Sequence, residues 1–171
     1  MSALIVAESS FGNTLAISHA IARGLGRATT PYAATIASPR EIGTTIPAYV
    51  DLLIVGAPTH NLSMPKPATR AQATTKGAVG QTGGGVREWI EHLDARPGLR
   101  VVTFDTSIKS GFAPSSASKS AARALKKRGF RDVVRGHSFW VTGLTGPLLD
   151  GEDDRADAWG ALLAAKTPDN Q

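Results

Sequence analysis

The chain has no cysteine among its 171 residues, which removes a disulfide framework, a thiolate metal site and a thiol nucleophile together. No apolar run approaches the roughly 20 residues of a membrane-spanning helix. A G-x-x-x-x-G-K-S/T phosphate loop is absent, so the chemistry of P-loop nucleotide hydrolysis has no seat. There is no G-x-S-x-G elbow either, and serine-hydrolase chemistry loses its nucleophile. The four histidines include no pair at metal-ligand spacing, so no metal site is expected. The N-terminus enters an apolar strand within three residues, leaving no room for a signal peptide, and a cytoplasmic protein without a membrane segment is the expectation.

What is present is an ordinary globular composition, 42% hydrophobic and 19% charged, long enough for one domain with a sizeable core. The expectation is a single domain over residues 1–166, with a polar tail at 167–171. The net charge of +5 and a pI near 9.9 permit an acidic partner. Much of that charge lies in Lys119, Arg123, Lys126, Lys127, Arg128 and Arg131. These residues flank Ala117, Ala121 and Leu125, which recur every fourth residue as the buried stripe of a helix. They read as its solvated outer face. Without interleaved aromatics or a recognition motif, no nucleic-acid partner is expected.

Strand and helix patterns alternate along the chain. The runs 3–7, 32–36, 52–56, 99–104 and 133–141 read as strands, the third apolar at every position in the way of a strand covered on both faces. Helical spacing places Ile17, Ile21 and Leu25 on one buried stripe, and Val86, Trp89, Ile90 and Leu93 on another. Ser38-Pro39-Arg40-Glu41 has capping-box spacing and predicts a short helix there. Residues 57–85 read as a long Pro-, Thr- and Gly-rich loop, of the kind that is usually functional. Gly136 predicts a bulge in the last strand. A final helix follows Asp150, its inner face carrying Trp159, Leu162 and Leu163. Five strands joined by helices predict an α/β fold, a doubly wound parallel sheet.

In such a sheet ligands bind beyond the C-terminal strand ends, where three loops fall: 8–14, 57–64 and 105–114. The first holds Ser9-Ser10-Phe11-Gly12-Asn13-Thr14, between a strand and a helix. The first amides of a helix have no internal partners and carry the positive end of its dipole. Gly12 permits close approach of backbone, and the hydroxyls add donors. A cation-free turn of this kind suits a phosphate that stays bound and is not transferred. Pro58-Thr59-His60-Asn61 brings a hydroxyl, an imidazole and a carboxamide to the second loop. The third brings Asp105, Thr106 and Gly111, with Phe112 as its one aromatic.

The S-x-F-G-N-T form of residues 9–14 resembles the FMN phosphate loop of the flavodoxin family. The Gly-x-Pro-Thr-His-Asn run from Gly56 resembles the flavin-ring loop of flavodoxin domains in multidomain flavoproteins. The resemblance implies a five-stranded sheet of order 2-1-3-4-5, FMN as cofactor, and electron transfer to or from a protein redox partner. It further implies that Ser9, Ser10, Phe11, Gly12, Asn13 and Thr14 hold the phosphate. Pro58, Thr59, His60 and Asn61 would line the ring, and Asp105, Thr106 and Gly111 its other edge. Three features differ from the family pattern: no aromatic in the second loop, a basic net charge, and the length of 64–85. Two other function classes accordingly stand beside the carrier: an FMN-dependent NAD(P)H oxidoreductase acting on a quinone or similar acceptor, and a flavin-free interaction module.

Overall fold

The computed structural model describes residues 1–79, 83–111 and 115–166. Phe112 and the tail 167–171 lie outside the described residues. Five strands, β1 (Ser2–Ala7), β2 (Ala33–Ala37), β3 (Leu52–Pro58), β4 (Arg100–Ile108) and β5 (Val133–Val141), form one sheet. All neighbours are parallel and the order is β2-β1-β3-β4-β5. The helices are α1 (Asn13–Arg27), α2 (Pro67–Thr75), α3 (Val86–His92), α4 (Ala117–Arg128) and α5 (Glu152–Ala165).

The apolar runs form a central sheet because successive side chains serve opposite faces. Leu4, Val6, Leu53, Val55 and Val101 pack with Trp89, Ile90 and Leu125 of α3 and α4. Ala3, Ile5, Leu52, Ile54 and Phe104 pack with Ile17, Ile21, Trp159 and Leu163 of α1 and α5. α1 and α5 touch through Gly24 and Gly160, where a Cβ would run into the backbone of the facing helix. Gly129 ends α4 in the left-handed region at φ 114° and donates to Lys126 C=O, as a C-terminal glycine does. The bulge expected at Gly136 is present. Thr103 pairs with Arg135 and Asp105 with Ser138, so β5 carries one extra residue there.

Four expectations are corrected. Residues 39–41 form a turn and not a helix. Ser38 N–H does donate to Glu41 Oε2 at 2.7 Å, but Gly43, Thr44, Thr45 and Pro47 give the capped turn nothing helical to continue into. The stretch 57–85 is not all loop, since it contains α2. β4 runs on through Asp105 and Thr106 to Ile108, because β3 pairs with it as far as Thr106 and β5 as far as Ile108. Leu162 is 60% exposed and not on the inner face of α5; the crossing at Gly160 turns Trp159 and Leu163 inward.

Candidate functional site

The three loops meet at the C-terminal edge of β1, β3 and β4, where they enclose a cleft of about 190 Å³. Its floor is a buried contact between two hydroxyls, Thr14 Oγ1 and Thr106 Oγ1, 2.8 Å apart. This joins the first turn of α1 to the end of β4.

The turn before α1 keeps its amides free. Ser10, Phe11 and Gly12 N–H donate to no group among the described residues, and the first amides of α1 have no intrahelical acceptor. Gly12 sits at φ 87°, where a side chain would be strained. Its carbonyl accepts from Ala16 N–H at 2.9 Å. Ser9 stands behind the turn, its hydroxyl 3.4 Å from Leu15 N as acceptor. Asn13 Nδ2 donates to Thr145 C=O at 3.2 Å, tying the turn to the loop after β5. Ser10, Phe11, Asn13 and Thr14 line the cleft, with no cationic residue in the turn itself.

The second loop is a tight hairpin. His60 and Ser63 exchange both backbone hydrogen bonds, at 2.9 and 3.1 Å. Asn61 and Leu62 between them have φ 48° and 61°. Positive φ at both central positions defines the two-residue turn that suits strand twist, and Asn is at home there. A leucine is not, and Leu62 is 46% exposed besides. Pro58, Thr59, His60 and Asn61 all line the cleft. Thr59 Oγ1 also accepts from Ala117 N–H at 2.9 Å, at the start of α4.

In the third segment, Thr106 lines the cleft and Asp105 does not. As neighbours on a strand they serve opposite faces. The Asp105 carboxylate is buried beneath α4, where Oδ2 accepts from Ser118 N–H at 2.9 Å. Burial pushes its acid up from the ordinary carboxylate value, with the serine hydrogen bonds and Arg135 opposing. Its place is that of a helix cap. Gly111 is exposed and outside the lining of the cleft.

Two walls were not foreseen. One is α2, which contributes Thr69, Gln72 and Ala73, with Lys76 just after its last residue. The other is the end of β5 and its loop, with Val141, Gly143 and the exposed Leu144. Ile108 faces the same space. Among the described residues the lining contains one cation, Lys76, and no carboxylate.

What holds α2 there is a buried charge cluster. Arg70 of α2 donates to Glu8 Oε1 at 2.6 Å and Oε2 at 3.2 Å, and to Glu88 Oε1 at 3.0 Å and Oε2 at 2.8 Å. It also donates to Pro65 C=O at 3.2 Å. Glu8, directly before the turn 9–14, accepts from Val86 N–H at 3.0 Å, and Glu88 from Gly85 N–H at 2.8 Å. Burial opposes the charge on Arg70, but the two carboxylates more than offset it and raise its pKa. Burial likewise opposes ionisation of Glu88, and Arg70 prevails, lowering its pKa. One signal in the sequence could have exposed this cluster: Glu8 follows five apolar residues at a strand end, where a carboxylate has to find a partner.

No family model matches the chain, and no curated protein matches it. Solved structures do. A flavodoxin from the domain Archaea superposes with a TM-score of 0.60 at 18% identity, covering 98% of this chain and 99% of its own. The fold is flavodoxin-like. A Streptococcus pneumoniae TIGR4 flavodoxin gives 0.62 at 15% identity over 97% of this chain and 99% of its own. The flavodiiron protein from Giardia intestinalis gives 0.59 at 16% identity over 97% of this chain, which spans 36% of that longer protein. At these identities the likeness is one of fold, and the flavodoxin-like arrangement is complete over the described residues. None of the described helices is long and apolar enough to cross a membrane.

Proposed function

We propose that the chain binds FMN and exchanges electrons with a protein redox partner. The observation that carries this reading is the turn 9–14, whose unpartnered amides stand, with the Ser10 hydroxyl and without a cation, beside a cleft at the C-terminal edge of the sheet. Full-length likeness to two flavodoxins supports it. FMN, when bound, supplies one- and two-electron chemistry.

The chain's own residues supply position and charge. The amides of Ser10, Phe11 and Gly12, with those of Asn13 and Thr14 at the start of α1, are free to take a phosphate, while Leu15 N–H meets Ser9 Oγ. Hydrogen bonds to a charged group are worth about 1.5–3 kcal/mol each. Gly12 must stay free of a side chain for the oxygens to come close. Ile108 and Leu144, 45% and 66% exposed, offer apolar surface to the faces of a planar ring in place of aromatics. Covering such surface stabilises by about 25 cal/mol per Å². The wall formed by α2 narrows the access of water to the ring side of the cleft. With Lys76 in the lining and no carboxylate there, a ring that gains negative charge on reduction is favoured. The basic net charge suits an acidic partner surface.

Titration of the purified protein with FMN, riboflavin and FAD, followed by absorbance and flavin fluorescence, tests this reading. FMN should bind tightest, and riboflavin weaker by several decades.

A further inference from the structure

His60 has one ring nitrogen whose role can be assigned by counting protons. Its Nδ1 lies 3.1 Å from Thr69 Oγ1 on α2. That hydroxyl donates its one proton to Lys66 C=O at 3.1 Å and accepts from Lys66 N–H at 2.9 Å. A hydroxyl has one donor and two lone pairs, so the capacity left over is a single lone pair. With the threonine proton on Lys66 C=O, Nδ1 of His60 is the donor. Were it the acceptor, that proton would turn away and Lys66 C=O would keep the Arg70 N–H alone, at 2.9 Å.

The ring is also neutral near pH 7. Burial lowers its pKa from 6.5; Glu8 acts in the opposite direction and Arg70 in the same one. Among the cleft's lining residues the further charge is Lys76. A neutral imidazole protonated at Nδ1 has a bare lone pair on Nε2. Among the described residues Nε2 has no hydrogen-bond partner, and it is not one of the buried unpartnered atoms. His60 is half-buried and lines the cleft, so that lone pair is open to it.

We propose that His60 is the cleft's hydrogen-bond acceptor for flavin: Thr69 fixes its tautomer, and the bare Nε2 takes a hydrogen bond from a ring N–H. The inference rests on the FMN reading and deepens it. The oxidised flavin ring has one N–H, flanked by two carbonyls. An acceptor flanked by donors complements that edge, and the Gln72 carboxamide and the Lys76 ammonium are donors in the same cleft. Gln72 belongs to α2 and Lys76 follows its last residue. The helix held by Arg70 thus reads the ring's polar edge while the turn 9–14 holds the phosphate. Thr69 acts through His60 and is a positioning residue.

Imidazole-¹⁵N-histidine NMR on the full chain, ligand-free and FMN-loaded, with His60 assigned through His60→Gln, tests both halves. At pH 7.5 the ligand-free protein should show His60 with Nδ1 protonated and Nε2 bare. Thr69→Val should shift it toward the Nε2–H tautomer that free imidazole prefers, and Thr69→Ser should restore the original. FMN should move the Nε2 resonance toward that of a hydrogen-bonded nitrogen, and 3-methyl-FMN, which lacks the N–H, should not. FMN affinity should fall about tenfold in Thr69→Val and remain near wild type in Thr69→Ser. An Nε2–H tautomer in the ligand-free wild type overturns the assignment. FMN that binds by optical titration yet leaves Nε2 unmoved overturns the contact to the ring. Absence of optical binding overturns the FMN reading and the flavin contact with it, while the ligand-free spectrum still decides the role of Thr69.

Discussion

Replacing Arg70 by methionine removes the one cation shared by two inward-facing carboxylates. The guanidinium makes five hydrogen bonds, two to each carboxylate and one to Pro65 C=O. Its side chain is 7% exposed, that of Glu8 2% and that of Glu88 29%. Breaking a buried ion pair from one side costs about 3–5 kcal/mol, because the partner charge stays behind. Against a total stability of about 5–15 kcal/mol, this is a large fraction, and for a chain of this length it amounts to a fall in Tm of about 6–20 °C. The sign with pH follows from Glu88. Its folded pKa is depressed, so the stability it contributes is present above its unfolded pKa of about 4.3 and is lost as pH falls through the folded value. In Arg70→Met that contribution is gone, so the gap between variant and wild type should be widest at neutral pH and should narrow below about pH 4. Urea unfolding at pH 7 and at pH 4 measures both. Because α2 also loses its tether, FMN affinity should fall in the same variant. A loss under about 1 kcal/mol at pH 7 would refute the claim that this cluster holds the wall of the cleft.

Gly12→Val and Thr14→Val should each weaken FMN binding by tenfold or more while leaving a folded domain by circular dichroism, since neither side chain belongs to the two hydrophobic cores. Asp105→Asn should be more stable than wild type at pH 7. A buried acid with a raised pKa detracts from stability as pH rises through its titration range, and the gain should disappear below about pH 4, the unfolded aspartate value. Leu62→Gly should raise stability by about 0.5–1 kcal/mol in chemical denaturation, because relief of a left-handed leucine, about 1–2 kcal/mol, exceeds the added chain entropy of glycine. Binding to duplex DNA in gel shifts should be weak, independent of sequence and lost as salt rises through counterion release.

Much of the fold is legible because the local signals and the tertiary demand agree. The apolar runs that form β1 and β3 have no alternative to a sheet covered on both faces. Gly136 sits where Trp159 and Thr103 C=O leave no room for a Cβ, and a bulge resolves the register. The turn 9–14 between β1 and α1 is legible for the same reason, since free amides, a positive φ and hydroxyls belong to six consecutive residues. α2 is not legible. Its sequence, PATRAQATT, is rich in threonine and short, so propensity alone would not fold it. It is held by Arg70, whose partners are 62 and 18 residues away. The place of Asp105 is not legible for a related reason: the strand continues past Phe104 through its pairing with β3 and β5, and its alternation sends Asp105 under α4 and Thr106 into the cleft. The wall from the β5 loop is likewise tied in across the fold, by Asn13 Nδ2 donating to Thr145 C=O.

The central claim is that residues 9–14 bind the phosphate of FMN without a cation, and the most direct test is paired titration of one preparation with FMN and riboflavin. The two differ only in the phosphate. Two or three charge-assisted hydrogen bonds at about 1.5–3 kcal/mol each predict that riboflavin binds more weakly by at least about 100-fold, or ~2.7 kcal/mol. Gly12→Val should erase most of that difference. Equal affinity for the two flavins would contradict the account.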